Sequence, residues 1–140
     1  MPILFKFLAL CAYWIFLTRS LLMTCPWELI SENLALHPPI DLSFEPTSWL
    51  AHISAYCLLG LLIQEATAHQ PKLRRSLLIL ALIHSGACEY LQSFIPNRWP
   101  NGWDMVSNCL GLLMSLSLHK VLAAQSQIFL SRIFPKKPVA

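Results

Sequence analysis

The chain has 140 residues, long enough for one domain and too short for two comfortable ones. Charged residues make up 12%, against about 25% in an ordinary soluble domain, while hydrophobic residues reach 56% and mean hydropathy is +0.55. This excludes intrinsic disorder, and a net charge of +3 without a basic stripe interleaved with aromatics argues against a nucleic-acid partner.

The pattern predicts an all-α fold: an integral membrane bundle of four transmembrane helices forming one membrane domain over 1–140. The spans are expected at about 3–23, 49–66, 77–95 and 104–124. The first has Lys6 near one end and Arg19 near the other, positions from which long basic side chains snorkel. Its apolar run resembles a signal peptide, but no A-x-A site follows it, so it is read as retained.

The connection from Thr24 to Ser48 is acidic, with Glu28, Glu32, Asp41 and Glu45 and several prolines. The next, from His69 to Ser76, is short and basic, with Lys72, Arg74 and Arg75. Pro96 to Trp103 reads as a tight turn, and 125–140 as a cytoplasmic basic tail with Arg132, Lys136 and Lys137. The positive-inside rule then puts both termini in the cytoplasm, because Lys6, Lys72, Arg74, Arg75, Lys120 and the tail cations all fall on one side. Trp27, Trp49, Trp99 and Trp103 fall on the other, where indole rings favour the interface.

That topology gathers polar residues at the outer helix ends. His52 and Tyr56 are four apart at the start of the second span, on one face. Glu89 and Gln92 lie near the end of the third, Asp104 and Asn108 at the start of the fourth, and Arg98 in the turn between. Gly60, Gly111 and Ser115 continue the same stripes inward and are expected at close helix contacts. Glu89, Arg98 and Asp104 are expected to form one cluster, with His52 and Asn108 at its edge. Glu89, Asp104 and His52 are the candidate proton-transfer groups. Arg98, Gln92, Asn108 and Tyr56 are the candidate ligand contacts, Arg98 because a guanidinium binds phosphate or carboxylate bidentately. His84, His119 and Glu65 are read as structural. Cys11, Cys57, Cys88 and Cys109 lie in apolar stretches without C-x-x-C spacing, so no disulfide framework, metal site or cofactor is expected.

The string Glu89-x2-Gln92-x5-Arg98-x5-Asp104-x3-Asn108-x2-Gly111, with His52-x3-Tyr56-x2-Leu59-Gly60 upstream, resembles the signature of the VanZ-like family of small membrane proteins. The resemblance runs from Trp49 to Ser115. The family often has an acidic residue and a lysine just before the histidine, where this chain has Ser48 and Trp49, and often a glycine in place of Ser115. The resemblance implies a multi-pass protein of the bacterial cell membrane, named after glycopeptide-resistance clusters and associated with teicoplanin resistance. Three functional readings follow. The first is binding of a lipid head group or amphiphile at the outer polar layer. The second is an enzyme acting on a lipid-linked phosphate or glycan head group. The third is an accessory subunit of a membrane complex. Membrane lipids are the expected partners in each.

Overall fold

The computed structural model describes residues 2–22, 45–92, 94 and 102–133. Regular structure among them is entirely helical: α1 (Ile3–Leu22), α2 (Glu45–Ala66), α3 (Pro71–Gln92) and α4 (Gly102–Ile133). Three helices are long and apolar enough to cross a membrane: Ile3–Leu22, Ser48–Ala66 and Gly102–Phe129. Helix α3, at 22 residues, has the length but not the apolarity. Lys72, Arg74 and Arg75 occupy its start, and His84, Ser85, Glu89 and Gln92 interrupt the rest.

Helix bounds differ from the expected spans in two instructive places. The basic stretch read as a connection is the beginning of α3. Thr67 N–H donates to the Ile63 carbonyl (3.0 Å), and Gln70 N–H to the Thr67 carbonyl (2.9 Å), closing a tight turn. Pro71 then opens the helix, where its missing N–H costs nothing and its fixed φ suits the helix. Helix α4 continues to Ile133, into the stretch expected as tail, because no proline or glycine interrupts 112–133. Its residues from Val121 to Phe129 are all exposed.

The ends of the helices pair in a fixed way. Lys6 at the start of α1 meets Glu65 at the end of α2. Gln92 at the end of α3 donates to the Leu21 carbonyl at the end of α1 (2.9 Å). His52 and Asp104 meet at the starts of α2 and α4. So α1 and α3 run one way, and α2 and α4 the other.

Burial is inverted relative to a water-soluble bundle. The inward faces carry His52, Gln64, Ser85, Glu89, Gln92, Ser107, Asn108 and Ser115 beside Tyr56, Leu59 and Ile63. The outward faces carry Phe5, Leu8, Ile15, Phe16, Ile79, Ile83, Leu113 and Met114. Apolar outside and polar inside is the arrangement a hydrocarbon solvent selects, since polar groups then find partners only within the bundle. Helices α2 and α4 form the closest pairing. Gly60 abuts Ser115, and Gly111 lies against the backbone of Ile53 and Cys57. A side chain at Gly111 would strike the Ile53 carbonyl, which cannot rotate aside.

Candidate functional site

The α2–α4 seam is built in layers, starting from the ends where the two helices begin. Trp49 and Trp103 form the first, with ring centroids 5.7 Å apart. His52 lies three residues after Trp49, so the next layer sits about 4.5 Å further along the helix. There the His52 Nε2 faces Asp104 Oδ2 at 3.7 Å, and the two side chains are only 9% and 13% exposed. His52 Nδ1 lies 2.9 Å from Asn108 Oδ1. An amide oxygen only accepts, so Nδ1 carries the proton and donates. Asn108 Nδ2 in turn donates to Ser85 Oγ on α3 (2.8 Å). One buried amide therefore joins α2, α3 and α4.

This assignment has a chemical consequence for the other ring nitrogen. With Nδ1 donating to Asn108, Nε2 is the ring nitrogen that faces the Asp104 carboxylate. A gap of 3.7 Å is too long for a direct hydrogen bond. A second proton makes the pair an ion pair; without it, two acceptors face each other. The other carboxylate oxygen, Asp104 Oδ1, is buried and has no hydrogen-bond partner among the described residues. Buried polar atoms are nearly always satisfied, so this oxygen stands out.

One turn deeper, Tyr56 turns towards α3. Its hydroxyl lies 3.0 Å from His84 Nδ1, and His84 Nε2 lies 2.9 Å from Thr18 Oγ1 on α1. Thr18 donates onward to the Trp14 carbonyl (2.8 Å), so the threonine hydroxyl accepts from the imidazole. The Cys88 Sγ is 3.4 Å from the same imidazole nitrogen. His84 thus links three helices. Deeper still, Gln64 donates from one amide nitrogen to the Gly60 carbonyl, the Ser115 carbonyl and Ser115 Oγ.

The expected site residues separate into groups. His52, Asp104 and Asn108 come together, with His52 Nε2 facing the Asp104 carboxylate and Nδ1 facing Asn108. Tyr56 belongs with His84, and Gln92 ties α3 to α1. Glu89 is buried one turn beyond Ser85 and is engaged in an interaction of its own. Gly60, Gly111 and Ser115 lie at the α2–α4 contact. Arg98 lies outside the described residues. One contributor went unremarked in the sequence reading: Gln64 follows Gly60 by four, a spacing that already placed it on the inward face. His84, read as structural, carries no sequence signal for its partners, because they arrive as Thr18 and Tyr56 from other helices.

At the opposite end of the bundle, Lys6 Nζ donates to Glu65 Oε2 at 3.0 Å, and His119 Nε2 lies 3.2 Å from Glu65 Oε1. This group is more open, with Glu65 55% exposed. Among the described residues no cluster of His, Cys, Asp and Glu could hold a metal ion.

Fold and site together define an all-helical bundle with three helices apolar enough to cross a membrane and a buried imidazole–carboxylate pair near one end. No protein-family model matches the chain, and neither a curated protein nor a solved structure matches it.

Proposed function

We propose that the protein is a four-span protein of a bacterial cell membrane, with both termini cytoplasmic, that binds a lipid head group or amphiphile at the outer end of the α2–α4 seam. The observation that carries this reading is the buried Asp104 Oδ1, which has no hydrogen-bond partner among the described residues, beside a histidine held in one orientation by Asn108. A scaffold has no use for an unsatisfied buried acceptor, which costs about 1–3 kcal/mol when unpaired. A ligand bearing donors would satisfy it. In this topology α3 is the fourth span, its polar face turned to its neighbours and its basic start at the cytoplasmic surface. Arg98 follows α3 in the chain and is the cation proposed to meet a phosphate. The VanZ-like resemblance supports the envelope setting and extends the proposal to altered sensitivity to teicoplanin-type agents.

Native mass spectrometry of the purified chain tests the reading. The wild-type protein is expected to retain co-purified lipid or added amphiphile, and Asp104→Asn to lose it at unchanged protein yield. Equal retention by both would refute a site at this seam. Cysteine labelling in a cysteine-free background tests the orientation: a cysteine at Glu28 should react from outside intact cells, and one at Lys72 should not.

A further inference from the structure

The polar and aromatic contacts that join α1 to α3 gather near the helix ends. Trp14 packs edge-on against His84 with centroids 5.6 Å apart, Thr18 accepts from His84, and the Leu21 carbonyl accepts from Gln92. From that junction back towards the helix starts, a groove of about 390 Å³ runs between the two helices. Phe7, Trp14 and Thr18 line one side, and Leu73, Leu77 and Leu80 the other. Phe7 to Thr18 covers roughly 16 Å of helix, close to half of the ~30 Å hydrocarbon core of a bilayer. The Thr18 hydroxyl is already engaged by the Trp14 carbonyl and by His84, so the groove suits an alkyl chain. A volume of about 390 Å³ drawn out over that length admits one extended chain and is too narrow for a helix ~10 Å across.

At the mouth of the groove the chemistry reverses. Leu73, the lining residue nearest the start of α3, stands between Lys72 and Arg74, and Arg75 follows. Lys72 and Arg75 are exposed and Arg74 is half-buried. Among the described residues no carboxylate pairs with any of the three, whereas Lys6 at the same end of the bundle is matched by Glu65. Long basic side chains lay their stems along apolar surface and carry the charge to its edge, so these heads can reach the groove mouth. Two guanidiniums and an ammonium call for an anion, and a guanidinium takes two phosphate oxygens at once. A bias of cations towards one membrane surface accounts for their charge. It does not account for an apolar groove one leaflet deep beneath them.

We propose that α1 and α3 hold one anionic phospholipid from the leaflet at which they begin. Its phosphate sits among Lys72, Arg74 and Arg75, and one acyl chain lies in the groove from Phe7 to Thr18. Basic pockets between spans are the usual setting for such head groups. The proposal rests on the membrane placement above. It is independent of the His52–Asp104 pair, which lies at the opposite end of the bundle.

The test uses the delipidated full chain in maltoside micelles, with thermal stability and native mass spectrometry as readouts. The probes are phosphatidylglycerol and phosphatidylcholine with the same acyl chains, and glycerol phosphate as the head group alone. Phosphatidylglycerol is expected to raise the melting temperature saturably and to give a single retained lipid, at a concentration about tenfold or more below that needed for phosphatidylcholine. Glycerol phosphate should have no effect. The triple change Lys72→Gln, Arg74→Gln, Arg75→Gln should abolish the preference for phosphatidylglycerol. Cys11→Trp, which fills the groove from an exposed position, should weaken the binding of phosphatidylglycerol about tenfold. Leu80→Trp does the same from α3, and serves if the first variant does not fold. Equal response to the two phospholipids overturns the proposal, as does a preference that survives the triple change. A preference that both groove-filling variants leave intact shows surface attraction without a groove site, and overturns it too. So does a response to glycerol phosphate as strong as that to the lipid. Retained lipid that is lost in Asp104→Asn but kept in the triple variant overturns this proposal and supports the seam site instead.

Discussion

The two ends of the bundle each hold a carboxylate beside a histidine, and they are built for different purposes. At one end Glu65 receives Lys6 and His119, so its charge is matched, and more than half of the side chain is open to its surroundings. At the other end Asp104 has only His52 within ion-pair range among the described residues, is nearly enclosed, and keeps one oxygen unpaired. The first group pins helix ends with little at stake, since exposed pairs gain only modest Coulomb energy. In the second, every donor counts, because an enclosed charge has no water to fall back on. Ion-pair geometry alone would rank the Lys6–Glu65 contact higher, at 3.0 Å against 3.7 Å. Burial reverses that order.

The largest effect should come from His52→Leu. It leaves Asp104 without its facing imidazole and Asn108 Oδ1 without a donor, and breaking such a buried group costs about 3–5 kcal/mol. Thermal unfolding in micelles should show a lower melting temperature and a reduced yield. Asp104→Asn should cost clearly less, since it removes a carboxylate whose Oδ1 has no hydrogen-bond partner among the described residues. If the two variants are equally unstable, Oδ1 is satisfied in the folded protein and the contrast between the ends weakens.

Next in size is Gly111→Ala. The new methyl meets the Ile53 carbonyl and the Cys57 amide nitrogen, both backbone, so α2 and α4 must separate. Overpacking of this kind costs about 1–3 kcal/mol. The same change at Gly86 meets only the tip of Met105 at 3.9 Å and should be silent. A melting curve for Gly111→Ala that overlays that of Gly86→Ala would show that the seam is looser than its contacts indicate.

The smallest effect belongs to Lys6→Ala. It removes the ammonium from a mostly open Glu65 that keeps His119, so stability should change by about 0–1 kcal/mol. A loss as large as that of His52→Leu would mean that the two ends do not differ as their burial implies.

Much of the fold was legible in the chain because helical spacing is local. Four helices, three of them apolar enough to cross a membrane, were marked by their composition, and the polar residues repeating at three and four, with the small residues continuing those stripes, follow from a period of 3.6. His52 and Tyr56 fall on one face by arithmetic alone. Where the reading stopped short, the deciding feature was also local but weak. Pro71 was a helix start hidden in a basic run, and the stretch after Ala124 was polar enough to pass for a tail although no proline or glycine occurs in it before Pro135.

The partners were decided only by the tertiary structure. Two side chains one turn apart on α2 take different neighbours: His52 turns to α4, where Asp104 and Asn108 lie, and Tyr56 turns to His84 on α3. No spacing within α2 encodes that divergence. It depends on how α3 and α4 sit along α2, and for α4 that register is set by Gly111 against the Ile53 backbone and Gly60 against Ser115. Sequence determines which face of each helix is polar, because periodicity is a property of a single helix. Register between helices is a property of their contact, and it alone makes Asn108 a bridge and brings Asp104 to face His52.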